Sequence, residues 1–264
     1  ISPAFLAPPR LTTKRNIFMA ALTIAVWDIL NMSPTMRKLF VKQPRDWPLL
    51  KTLVLLLAVG LIVSQIVQGI ALFYADLSRE KCERFFIFEP VITTILLFTC
   101  SLVHVIRIRA IYSNSSRVFR IMVAMLVQQI VITSVCCAFY ERIPVLDGQG
   151  CIAGPKALWV GVYWISTTLF YLTSMAFALR RSLESRQVVQ ANFRNIVFRD
   201  ALLCYVTIPV VHLLTVLLCF LSVPNDAADT VRTTTTTFTL VMTCVLTLRI
   251  VFTIRSSLYD GGKF

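Results

Sequence analysis

Glu89, Thr93, Cys100, His104 and Arg107 fall at spacings compatible with one face of a single helix, with Leu96 or Leu97 filling the gap. A carboxylate, an imidazole and a guanidinium on one face can hold a cationic ligand group, move a proton or form an internal ion pair. Asp28, Arg199, Asp200, His212 and Arg249 stand in or beside similarly apolar surroundings elsewhere in the chain. Two histidines in different stretches, with no His–Cys–carboxylate cluster at ligand spacing, make no metal site. Nucleophilic catalysis needs a nucleophile and a base on facing elements. Ser101 and His104 instead sit one turn apart on one stretch, where a local hydrogen bond is expected. These residues suggest no catalytic constellation, no cofactor and no metal, so a non-enzymatic protein is expected.

The elements that position these residues are set by the solvent. The chain is 57% hydrophobic and 15% charged, with 8 glycines, and its mean hydropathy is +0.76. A soluble domain of this size could not hide that much apolar surface in one core, so an integral membrane protein follows. A net charge of +13 would suggest nucleic acid in a soluble protein. Here the Lys and Arg residues sit almost entirely at the ends of apolar runs, with no basic arm carrying interleaved aromatics. The expected partner is therefore the lipid bilayer and not nucleic acid, through anchoring and attraction to an anionic leaflet. The opening segment, 1–15, has no continuous apolar core and is not a signal peptide. A preceding segment is expected, because the chain opens at Ile1.

A helix rises about 1.5 Å per residue, so a crossing takes roughly 17 to 25 mainly apolar residues. Seven stretches qualify: 16–32, 49–74, 85–109, 119–140, 157–179, 201–223 and 233–254. The strict alternation of a membrane β-barrel is absent. The expected fold is all-α, one seven-helix transmembrane bundle over 1–264. Short hinges rich in Pro, Gly, Asn and Ser separate the spans, and none is long enough for a soluble domain. Seventeen of the 26 Lys and Arg residues fall on the side that carries the C-terminus. That side should be cytoplasmic, with the N-terminus outside. The sequons at Asn31 and Asn114 would then face the cytosol and stay unglycosylated.

An ionisable group at mid-membrane costs about 2.5–3.5 kcal/mol even on lenient insertion scales, so each needs a reason. Two readings of Glu89 are open: a pocket carboxylate for a cationic ligand group, or a headgroup-level residue paired with Arg84 or Lys81. Asp28 and Arg249 lie too far from their helix ends to be incidental, and an opposite charge is the cheapest way to keep either there. An ionic network at the inner end is expected to include Asp28 and Arg249, with Arg107 as a member and Arg199 and Asp200 at similar depth. It acts either as a switching lock or as packing glue. Arg109 reads as a headgroup anchor. Gln65, Gln68, Gln128 and Gln129 read as interhelical hydrogen bonds. His212 follows Pro209 by one turn, so a bend there could present it inward. Six of the 8 cysteines lie within spans, where a thiol behaves as a small hydrophobe. Cys82 and Cys151 fall in loops on the outer side, where they are either a disulfide closing the bundle mouth or two separate thiols.

Seven helices with an outside N-terminus invite comparison with G-protein-coupled receptors, but the specific motifs are missing. The third span ends in "RIRAIY" without an acidic-Arg-Tyr triplet, and the seventh has neither Asn-Pro-x-x-Tyr nor a lysine for a retinal Schiff base. A closer resemblance is carried by "WDIL" (27–30), "IRIRAIYSNS" (106–115), "GC" (150–151), "TLFYLT" (168–173), "FRD" (198–200) and "LTLRIV" (246–251). In that order they resemble a family of seven-helix membrane proteins of mushroom-forming fungi defined by a short N-terminal domain of unknown function. Two positions depart from the family pattern: an acidic residue is missing near Thr35, and an Arg-Tyr pair is missing from the second span. The resemblance brings no established activity. It implies that "WD", the inner arginine of the third span, "RD" and the arginine of the seventh are recurring polar positions. The functional expectation is receptor-like sensing of a small-molecule or lipid-like ligand from the outer face, in the plasma membrane or another secretory-pathway membrane, with a cytoplasmic partner that the residues do not identify. The alternative is a small-molecule transporter or channel.

Overall fold

A computed structural model describes residues 9–42, 48–73, 86–112, 115–143, 152–156, 158–186, 192–221 and 226–260. Among the described residues, seven helices are long and apolar enough to cross a membrane, and the chain is an integral membrane protein built as a helical bundle. The helices are α1 (Pro9–Lys42), α2 (Pro48–Phe73), α3 (Phe88–Ile111), α4 (Ser116–Cys137), α5 (Val162–Arg186), α6 (Asn192–Leu221) and α7 (Asp226–Asp260). Their apolar portions, Arg15–Arg37, Leu49–Phe73, Phe88–Ile111, Ser116–Cys137, Trp159–Glu184, Leu202–Leu221 and Thr235–Thr253, overlie the seven expected stretches.

Two features differ from the expectation. Several helices overrun their apolar spans: α1 has 34 residues and α7 has 35, where about 20 would cross the hydrocarbon. Backbone hydrogen bonding does not stop where hydropathy does, so segments read as hinges are partly helical, including Pro34 inside α1. The second difference lies between α4 and α5. Strands β1 (Tyr140–Ile143) and β2 (Ile152–Pro155) pair antiparallel, Tyr140 opposite Pro155 and Ile143 opposite Ile152. The amide of Lys156 donates to the carbonyl of Phe139 and continues the ladder. The fold is therefore a helical bundle with one small hairpin at the end where α3, α5 and α7 begin. We call this the hairpin end and the opposite one the basic end.

The bundle's outward surface suits lipid and not water. On α2, Leu55, Val59, Ile62, Ile66 and Ile70 are each at least 40% exposed, while Leu57 and Leu61 on the other face are fully buried. Helix α7 sits at the centre, packing against α1, α2, α3 and α6. Without a hydrophobic drive between helices in lipid, close approach matters more than apolarity. Gly60 provides one approach: a Cβ there would lie 2.8 Å from Leu96 Cδ2 on α3. Gly161, in the short turn Leu158–Gly161 before α5, provides another, 2.8 Å from Phe220 Cζ on α6. Threonines are tolerated because their hydroxyls bond the carbonyl four residues back, as Thr99, Thr167, Thr168 and Thr243 do.

Candidate functional site

The buried polar residues form three groups along the bundle. At the basic end, Arg249 on α7 holds Asp28 on α1 through both Nε and Nη2. Nε lies 2.9 and 2.8 Å from the two carboxylate oxygens. The Asp28 side chain is 3% exposed and that of Arg249 52%. The carboxylate is thus the buried partner, and the guanidinium emerges along the α1–α7 seam. Arg107 is buried on α3 and stands beside Tyr205 and His104. Cys100 on α3 meets Cys244 on α7, with the sulfurs 3.8 Å apart. Arg249 lies five residues further along α7, about 140° round the helix at roughly 100° per residue. Arg109 is exposed, with its guanidinium carbon 4.6 Å from the Phe119 ring centre, as suits an anchor.

The second group is the central core. His104 shares a hydrogen bond at 3.1 Å with Ser174 on α5 through Nδ1 and one at 3.4 Å with Thr247 on α7 through Nε2. One imidazole thus ties three helices. The expected His104–Ser101 bond is replaced: Ser101 donates to Gln129 Oε1 on α4 at 2.9 Å. His104 meets Tyr171 and Tyr205 edge-on, with ring centres 5.2 and 5.1 Å away. Tyr171 in turn stacks obliquely against His212 at 4.8 Å. His212 is fully buried on α6 and bonds Thr243 on α7 through Nε2 at 2.9 Å. Thr215 and Thr239 share a further bond across the same seam. Sequence reasoning placed both histidines inward but missed Ser174, Thr243, Thr247 and the intervening Tyr171. His104, Cys100 and His212 thus gather round Tyr171, in dense packing held by neighbouring helices.

The third group lies toward the hairpin end. Glu89 occupies the first turn of α3, where unpaired amide groups favour a carboxylate. Pro90 costs no intrahelical hydrogen bond at that position, so it need not bend the helix. The Pro90 carbonyl accepts from Thr94, whose hydroxyl also meets Tyr163 and Cys137. Tyr140, at the root of β1, is close enough to feel the charge of Glu89. Burial first, then neighbouring Tyr163, Cys137 and Glu89, push the Tyr140 phenol well above its ordinary pKa. Thr93 is buried two turns from Cys100 on the same face of α3.

Gln129 makes the interhelical bond expected of it. Gln65 and Gln68 do not, and both ends of each amide are buried without a hydrogen-bond partner, as is Ser64 Oγ. Leaving such a group unmet costs about 1–3 kcal/mol. Cys82 and Cys151, and the side chains of Arg199 and Asp200, lie outside the described residues. The six described cysteines are free thiols. Among the described residues no group of three His, Cys, Asp or Glu is placed to hold a metal ion. Compared with known proteins, the chain matches no protein-family model, and no curated protein matches it either.

Proposed function

We propose that the protein is a receptor-like bundle that senses a small or lipid-like ligand at the hairpin end and communicates with a cytoplasmic partner at the basic end. In this reading the basic end faces the cytosol, and the membrane is the plasma membrane or another membrane of the secretory pathway. Membership of the fungal seven-helix family resembled above is part of the same proposal, and no catalytic step is assigned. One observation carries the reading, the closely packed centre of the bundle. Leu57, Leu61, Leu96, Leu97, Leu240 and Cys244 are at most 1% exposed and pack with the hydrogen-bonded His104 and His212 between the hairpin end and the Asp28–Arg249 pair. A transporter or channel has to hydrate a path through that level, whereas a receptor needs only to shift packed helices against each other.

The buried polar face of α2 is the feature that favours the second reading, a small-molecule transporter or channel. Two measurements on the purified chain separate the two. Liposomes containing the protein should pass protons, potassium and neutral solutes no faster than empty vesicles. A thermal-shift screen should find a ligand class whose stabilisation falls in Glu89→Gln. Solute flux above background, or a screen in which nothing stabilises the protein, counts against the receptor reading.

A further inference from the structure

Arg15 opens the apolar span of α1, at the depth of the lipid headgroups toward the hairpin end. Its Nη2 donates to the Leu72 carbonyl near the end of α2 at 3.3 Å, and its guanidinium carbon lies 5.3 Å from the centre of the Phe73 ring. Its Nε is buried and has no hydrogen-bond partner. Arg15 meeting Leu72 and Phe18 meeting Gly69 fix one antiparallel register between α1 and α2. Gln68 and Gln65 precede Leu72 by four and seven residues, so both lie within about 40° of it round the helix and about 6 and 10 Å deeper. They are 9% and 1% exposed, and neither amide has a partner at either end. On α1 the register sets Phe18 and Leu22 beside them, and neither has a hydrogen-bonding side chain. An arginine at the rim and two amides below it thus form a polar stripe along the α1–α2 seam.

We propose that the hairpin end of the α1–α2 seam is a binding site for an anionic glycerolipid. The site lies on the α1 flank, apart from Glu89 on α3, and does not depend on the ligand-sensing reading. A phosphate beside Arg15 takes the Nε hydrogen in a charge-assisted bond. In a glycerolipid the ester and hydroxyl groups follow the phosphate inward, toward the depth of Gln68 and Gln65. An ester carbonyl accepts from an amide N–H and a glycerol hydroxyl donates to an amide oxygen, so both ends of a glutamine are met. A fatty acid or free phosphate has no such second level. A phosphatidylcholine offers no free hydroxyl, and its own cation offsets the phosphate. The acyl chain has a place on Ile66 and Ile70, each one residue beyond Gln65 and Gly69 and exposed to lipid. Phe18, Leu72 and Leu22 close the seam. They form a small apolar cluster separate from the main core, so α1 can part from α2 here without opening the bundle. Without an occupant the unmet amides are a stability cost, and a bound lipid removes it.

Oleoyl lysophosphatidate, monoolein and oleate share one acyl chain. The first carries phosphate, ester and hydroxyl, the second lacks the phosphate, and the third has only a carboxylate. Titrated into the whole chain in phosphatidylcholine nanodiscs, lysophosphatidate should raise the melting temperature by several degrees. Monoolein, oleate and inorganic phosphate should not. Arg15→Gln should weaken lysophosphatidate binding at least tenfold. Gln65→Leu and Gln68→Leu together should remove most of the rise while leaving the unliganded protein as stable as before or more so, because an unmet amide gives way to an apolar side chain of similar size. Arg109→Gln at the basic end should leave the rise intact. No rise with lysophosphatidate, an equal rise with oleate or monoolein, or a rise that survives Arg15→Gln or the paired glutamine substitutions would overturn the proposal. So would an equal loss in Arg109→Gln, which would mean that the lipid is drawn to basic surface in general.

Discussion

Asp28 and Arg249 show what a single residue can reveal in a membrane protein. Each lies far enough inside its span that a charge there demands a partner, and this physical cost made the pair legible before any geometry was known. Arg107 lies at a similar depth, but its neighbours Tyr205 and His104 could not be read from depth alone. The partners of His104 were equally hidden, because Ser174 and Thr247 lie 70 and 143 residues away and look like ordinary helical hydroxyls. The ion pair carries a quantitative expectation. Asp28 is buried but the Arg249 side chain is half exposed, so the coupling should fall below that of a fully buried pair. A double-mutant cycle with Asp28→Asn and Arg249→Gln, read by denaturation in mild detergent, should return about 1–3 kcal/mol of coupling. Additive single effects would mean that the two side chains do not support each other.

At the scale of elements, hydropathy located the spans well because the cost of placing charge in lipid is steep. It located helix ends poorly, because α1 and α7 continue past the apolar stretch on backbone hydrogen bonds alone. The β1–β2 pairing was invisible for a related reason: two strands of four residues each carry too short an alternation to stand out. Glycines were more informative. Gly60 and Gly161 both mark close approaches, but their neighbours differ in how far they can yield. Leu96 presents a terminal methyl that can rotate aside, whereas Phe220 presents the edge of a rigid ring at 2.8 and 3.0 Å. We therefore expect Gly161→Ala to destabilise the protein by about 1–3 kcal/mol, Gly60→Ala to cost less, and Phe220→Leu to rescue the former. Thermal denaturation of the two alanine variants and of the Gly161→Ala/Phe220→Leu double variant checks this, and a Gly161→Ala protein as stable as the parent would show that the α5–α6 contact is looser than described.

At the scale of the molecule, the polar groups form a vertical order. An acid and two unmet amides lie toward the hairpin end, a closely packed and histidine-tied centre follows, and an ion pair joins the first and last helices at the basic end. That order means sensing at one face and response at the other only if the two ends lie on opposite sides of the membrane, with the arginine-rich end inside. Composition made the membrane legible, and charge asymmetry gave an expected direction, but the missing partners of the Gln65 and Gln68 amides could not be read from hydropathy, since they depend on how the helices meet. The most direct measurement uses glycosylation acceptor tags placed separately within 144–150, in the sequence between β1 and β2, and after Phe264, in eukaryotic cells. The hairpin tag should be glycosylated and the C-terminal tag left bare, with Asn31 and Asn114 bare in both. Glycosylation of the C-terminal tag, or the same outcome for both tags, would contradict the account.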